Sequence, residues 1–239
     1  MKKFETLSVL VIGLLIINVA SFGKSSEEYF NSAIIKINAG QKIEALPDLN
    51  YAILLNQRYV DAYATRGDIL NTVGDFTGVI RDFSKVIELE PANKNAYLMA
   101  GKACESLGDN SSGYSYFNKA LEMDSNFVAA WCYRGISMNI SGNYEEAIKD
   151  FDKAIELDTA FAEAYNGRAN SWNYLENDSN AIKNYDKAIE LDPEFGGAYN
   201  DRGNFKYYFG DTDGACSDWV KARALKNMES SDLYRKNCK

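Results

Sequence analysis

Asparagine, tyrosine and cysteine are the side chains on which chemistry could rest in this sequence. Histidine is absent, so a Ser-His-Asp triad, a Cys-His dyad and a histidine-based zinc site are excluded. The four cysteines, Cys104, Cys132, Cys216 and Cys238, form no Cys-x-x-Cys pair, so neither a metal nor a cofactor is expected. Two runs near the C-terminal end recur at helical spacing: Asn166, Asn170, Asn173 and Tyr174, then Asn200, Asn204, Tyr207 and Tyr208. An amide side chain carries both donors and an acceptor, so it can bond the backbone of an extended peptide whatever that peptide's sequence. Tyrosine adds flat apolar area at low entropic cost. Carboxylates such as Asp61 and Asp68 could act as acid and base, but no nucleophile, phosphate loop or metal cluster accompanies them. The expectation is a binding protein and not an enzyme.

The whole chain of 239 residues has 26 Lys plus Arg against 34 Asp plus Glu, a net charge of −8. That acidic balance argues against nucleic acid, which wants a basic face. The N-terminus has its own composition. Lys2 and Lys3 precede an apolar run at 7–20, followed by Ser21 and Gly23. A basic start, an apolar stretch and small residues are the features of a secretory leader. It is expected over 1–23, with cleavage after Gly23 or Ala20. The run is shorter than the roughly 20 apolar residues a membrane-spanning helix needs. The mature protein is therefore expected to be periplasmic or secreted, without membrane insertion. No cysteine lies near the cut to carry a lipid, the first being Cys104.

Everything after the leader is organised by a period of 34 residues. The segment 164–195 aligns on 130–161 without gaps, and the register extends to six units: 26–59, 60–93, 94–127, 128–161, 162–195 and 196–229. Position 4 is always aromatic, from Tyr29 to Tyr199, and position 8 is always Gly or Ala. Position 15 is Gly except at Glu176, and position 24 is large: Leu49, Phe83, Phe117, Phe151, Tyr185 and Trp219. Positions 4, 8 and 11 share one stripe of a first helix, and 20, 24 and 27 share one stripe of a second. The small residues let the two axes approach, and Gly at 15 stops the first helix in a left-handed conformation. Each pair leaves an apolar face that the next pair must cover.

These residues resemble tetratricopeptide repeats, helix–turn–helix units 34 residues long, over 26–229. The resemblance implies an all-α fold: a right-handed α-solenoid of six repeats, with 230–239 as a short capping helix in which Leu233 and Tyr234 cover the open end. It also implies a superhelix with the first helices lining its inner surface. Positions 2, 5, 9, 12 and 13 then face that groove. By position it holds Glu27, Asp61, Asp68, Glu105 and Glu163 against Lys102 alone, so a neutral or basic polypeptide suits it better than an acidic one. The family's carboxylate clamp, with Lys at position 5 and Asn at 9, is not matched, because no lysine stands at position 5.

Several residues are expected to be structural. Arg66, Arg134, Arg168 and Arg202 occupy position 7, and Asp82, Asp150, Asn184 and Asp218 occupy position 23 of the same repeats. Repeat 3 lacks both, with Ala100 and Tyr116, which predicts a link between the two helices of each repeat. Pro47 should delay or kink the second helix of repeat 1, and Gly113 should let that of repeat 3 fray. Four cysteines allow three pairings. The terminal segment must fold back over the last helix, which makes Cys216 and Cys238 the candidate disulfide. The ending also resembles that of other exported bacterial arrays of this type. Closing those residues would stabilise the cap by about 3 kcal/mol. Cys104 and Cys132 lie about 9 Å apart along parallel axes, too far for a bridge. The segment Asp211-Thr-Asp213-Gly214 lacks the later ligands of a calcium loop and reads as a turn.

The function expected is an exported scaffold or assembly adaptor that binds a protein or extended peptide in its groove. The alternatives are a self-associating structural component of the envelope and an accessory module of an envelope enzyme.

Overall fold

The structure is a computed structural model, described over residues 23–227 and 229–238. The expected leader falls almost wholly on 1–22, outside the described residues. Among those described there are thirteen α-helices and one short 3-10 turn. None is long and apolar enough to cross a membrane. The chain divides into two compact units at Pro91/Ala92.

In the first unit, α1 (Ser26–Asn38) opens with a capping box. The Ser25 hydroxyl accepts from the Glu28 N–H at 3.1 Å, and the Glu28 carboxylate accepts from the Ser25 N–H at 2.6 Å. Two of the orphan donors of the first turn are thereby satisfied. Its partner starts late, as Pro47 predicts. A 3-10 turn (Ile43–Ala45) leads into α2 (Leu46–Leu55), with the proline in the first turn, where its missing N–H costs nothing. Then come α3 (Val60–Val73) and α4 (Phe76–Leu89). Ala33, Leu49, Ala52 and Ile69 form the core of α1 to α3.

The second unit holds four helix pairs and a terminal helix: α5 (Lys94–Ser106), α6 (Asn110–Met123), α7 (Val128–Ile140), α8 (Tyr144–Leu157), α9 (Ala162–Tyr174), α10 (Asp178–Leu191), α11 (Gly196–Tyr208), α12 (Thr212–Ala224) and α13 (Glu229–Asn237). Each first helix packs on its own second helix and also on the first helix of the next pair. Phe151 shows how that stacking works. It is fully buried, and a Cβ on Gly135 of its own pair or on Gly167 of the next would come within 2.9 or 2.4 Å of its ring. Glycine at both places lets one phenyl ring fill the space between three helices. Burying such a ring is worth about 2–3 kcal/mol.

The turns follow the sequence. Gly40, Gly74, Gly108, Gly142 and Gly210 all take φ between +77° and +84°, where a Cβ would be strained. Asp75, Asp109, Asn177 and Asp211 cap the following helices by accepting an N–H three residues on. Asp211 thus serves as a cap in its turn.

One expectation is corrected. Helix α6 does not fray at Gly113 but runs intact over Asn110–Met123. The missing Cβ makes room for the Glu105 side chain, whose Cγ would lie 2.9 Å from it. The Asp109 cap holds the first turn.

Candidate functional site

The asparagine-rich face belongs to α9 and α11, which lie side by side. Asn166 and Asn170 stand one turn apart on α9, and both Nδ2 groups donate to Asp201 Oδ2 on α11, at 2.7 and 3.2 Å. Asp201 is the residue that sequence reasoning missed. Position 6 carries Asn31, Thr65, Met99, Tyr133 and Gly167 in the other repeats. A carboxylate there only in repeat 6 was the available signal. Tyr185 on α10 donates its hydroxyl to Asn170 Oδ1 at 2.6 Å. Burial, and then the nearby Asp201 charge, push that phenol far up, so it stays a donor.

The eight candidate residues separate by depth. Asn166 and Asn200 are buried, at 8% and 3% exposure, and their Oδ1 atoms have no hydrogen-bond partner among the described residues. A buried amide oxygen without a donor costs on the order of 1–3 kcal/mol. Asn170 and Asn173 are half-buried. Asn204 is exposed and accepts from Trp219 Nε1 at 3.0 Å. The Tyr207 hydroxyl donates to Asn237 Oδ1 of α13 at 3.0 Å. Tyr174 and Tyr208 stand well out in solvent, at 63% and 82%.

Two cavities open on this face. One of about 480 Å³ is lined by Asn139, Glu163, Asn166, Asn170 and Tyr174 among others. The other, about 580 Å³, includes Asn173, Tyr174, Asn204 and Tyr208. Tyr174 borders both, its ring stacked on Tyr144 with centroids 4.7 Å apart and planes 9° from parallel. Asn200 and Tyr207 line neither. Asn139 is taken up by the frame. Its Nδ2 donates to the Gly167 carbonyl at 3.0 Å, and its Oδ1 accepts from Ser171 at 2.8 Å.

The arginines hold the helices that carry the site. Arg134 makes a two-toothed bond to Asp150, with Nε–Oδ2 and Nη2–Oδ1 both at 2.7 Å, and Arg66 and Arg202 grip Asp82 and Asp218 in the same way. In each the third nitrogen, Nη1, reaches position 25 of the preceding repeat: Asn50, Asn118 and Asp186. Arg168 takes Asn184 and Asp152 in these roles. The clamp therefore joins three helices, one more than the sequence shows. The position-4 ring lies under each guanidinium, at 4.6 Å for Trp131.

The cysteines divide as expected. Cys216 and Cys238 are bonded, with Cα atoms 5.7 Å apart, which fixes α13 against α12. Leu233 and Tyr234 are half-buried there, and Arg223 lies 5.2 Å from the Tyr234 ring. Cys104 and Cys132 are free and buried. Burial, and then the charges of Glu163 and Glu105, push the Cys132 thiol far up, so it is inert.

Helix pairs joined by glycine turns, small-to-aromatic packing and arginine clamps define an α-helical repeat protein with its polar face on the first helices. The family follows from comparison with known proteins. Tetratricopeptide-repeat models match residues 95–127, 116–149 and 162–195, and a TPR-repeat model matches 139–171. Residues 95–195 are therefore tandem tetratricopeptide repeats. Its fold is similar to a tetratricopeptide repeat protein from Parabacteroides merdae, with 20% identity over 90% of this chain and 84% of that one, and a TM-score of 0.79. It is also similar to YrrB, a TPR protein with an unusual peptide-binding site, at 22% identity over 77% and 94% of the two chains with a TM-score of 0.61. MamA protein shares 28% identity over 73% and 94%, with a TM-score of 0.53. None of the curated proteins matches the chain.

Proposed function

We propose that this protein is an exported, non-catalytic scaffold that holds an extended segment of a protein partner against α9 and α11. One observation carries the reading. The smaller cavity is lined by the half-buried Asn170 amide and the exposed Tyr174 ring, with Asp201 holding the Asn166 and Asn170 amides in place beneath them. Beyond its bonds to Asp201 and Tyr185, Asn170 keeps one amide proton and one oxygen lone pair for a peptide backbone, and bonding through the backbone does not depend on the peptide's sequence. The exposed Glu163 beside the cavity favours a neutral or basic segment. Export is supported by the composition of 1–23, and by a disulfide of the kind that persists in an oxidising compartment.

Selection of random 15-residue peptides on the purified protein, followed by calorimetric titration of an enriched peptide, tests the reading. The double variant N170A/Y174A is expected to weaken binding by tenfold or more. Equal affinity in both proteins places the contact elsewhere. N-terminal sequencing of the protein recovered from cells tests export. A chain beginning at Ser21 or Lys24 is expected, and an intact Met1 refutes cleavage.

A further inference from the structure

The larger of the two cavities has a composition of its own. It lies where α9 and α11 end, and four aromatic rings line it: Tyr174, Phe205, Tyr208 and Phe209. The rings are held in place by one another and by their neighbours. Phe205 packs against Tyr185 and Phe209, with centroids at 5.8 and 4.7 Å. Tyr208 meets Phe209 edge-on at 5.1 Å, and Tyr174 is stacked on Tyr144. Two carboxylates, Glu176 and Asp178, complete the lining, and no lysine or arginine does. Both are exposed, and neither side chain has an ion-pair partner among the described residues.

Glu176 stands where every other repeat has the turn glycine, and it adopts the same left-handed backbone, at φ +56°. A residue with a Cβ is disfavoured there. Folding alone would be better served by glycine, yet a carboxylate occupies the place and lines the aromatic cavity. Asp178 has a structural reason to be where it is, in the first turn of α10, where a negative charge suits the helix dipole. Glu176 has none.

Aromatic faces and unpaired carboxylates attract the same ligand chemistry, a cation with an apolar stem. The ring face carries negative potential, which the carboxylates reinforce. An acidic group would be repelled, and a purely apolar one would leave the carboxylates unused. We propose that this cavity receives the charged end of a lysine or arginine side chain carried by the bound polypeptide. The proposal rests on the peptide-binding reading above and adds a side-chain preference to it. Tyr174, common to both cavities, places that side chain beside the segment held by Asn170.

The test is an amide NMR titration of the full protein with three probes: Nα-acetyl-lysine amide, Nα-acetyl-arginine amide and the neutral Nα-acetyl-norleucine amide. The two cationic probes are expected to shift residues 173–178 and 204–209 at roughly millimolar concentration, and norleucine amide is not. Glu176→Gly should weaken the cationic response about fivefold. The same variant should melt no lower than the wild type, because glycine suits that backbone. Loss of response is then not loss of fold. Glu176→Gln, which keeps the side chain and removes the charge, should weaken it likewise. Equal shifts by norleucine amide overturn the proposal, as does an undiminished response in both variants. Failure of the underlying reading is distinguishable from these outcomes. It shows as the absence of any selectable peptide while the probe shifts persist, and that result withdraws the polypeptide as the source of the cation.

Discussion

The α7–α8 pair and the α9–α10 pair share one backbone plan and distribute polarity in opposite ways. In the first, Cys132 makes a fully buried apolar floor, and the arginine clamp grips a charged partner, Asp150. In the second, the same floor position is Asn166, and the clamp grips a neutral amide, Asn184. The fold determines that this position is buried, and the residue determines what the burial costs. A thiol at that depth asks for nothing. An amide needs partners, and Asn166 has one because Asp201 stands on the neighbouring helix. The polar face is therefore a local modification of a common frame, held by one carboxylate.

Four experiments would break or sharpen that contrast. The largest effect is expected at the clamps. Arg134→Ala strands the buried Asp150 and should cost about 3 kcal/mol or more in denaturant unfolding. Arg168→Ala leaves the neutral Asn184 and the exposed Asp152, and should cost about 1–2 kcal/mol. Equal losses would show that the partner's charge is immaterial. Next, Cys132→Asn carries the amide into the α7 floor, where the facing position is Gly167 and offers no carboxylate. A loss of about 2–3 kcal/mol is expected, and a neutral result would mean that the amide needs no dedicated partner. Asp201→Ala removes the acceptor shared by Asn166 and Asn170. It should cost about 2 kcal/mol and should also weaken a selected peptide, whereas a purely structural role would leave affinity intact.

The smallest effect concerns Glu105 on α5, which accepts a hydrogen bond from Ser137 of α7. Burial raises its carboxyl to about 7, against the Ser137 hydrogen bond and the Lys102 charge, which both lower it. The folded protein then keeps this proton while the unfolded chain has already released it. Stability from this group is present below about 4.5 and falls as the pH rises towards about 7. Glu105→Gln should flatten that slope and stabilise the protein at pH 8 by about 1–2 kcal/mol. Parallel pH profiles of wild type and variant would place the titration elsewhere.

Much of this was legible from periodicity. The helix pairs, the glycine turns, the delayed start after Pro47, the position-7 to position-23 link and the Cys216–Cys238 pairing all depend on residues within one repeat or at a chain end. Local spacing carries such information, because a helix places residues three or four apart on one face. The grouping of Asn166, Asn170 and Tyr174 beside one cavity was legible for the same reason.

What depended on contacts between repeats was not. The Asp201 bridge joins residues 31 and 35 positions apart. The third tooth of each clamp spans 16 residues into the preceding repeat. Within repeat 3, Gly113 read as a weakness because the side chain that fills its space, Glu105, lies on the other helix of the pair, and spacing along one helix does not show it. Position on a helical stripe says which residues share a face, but how deep that face lies depends on how closely the neighbouring helix packs. By itself the sequence determined a stack of paired helices with a polar run near its C-terminal end. Only the packing of neighbouring helices decided that Asn166 and Asn200 are buried while Tyr174 and Tyr208 stand in solvent, because burial belongs to the neighbours and not to the residue.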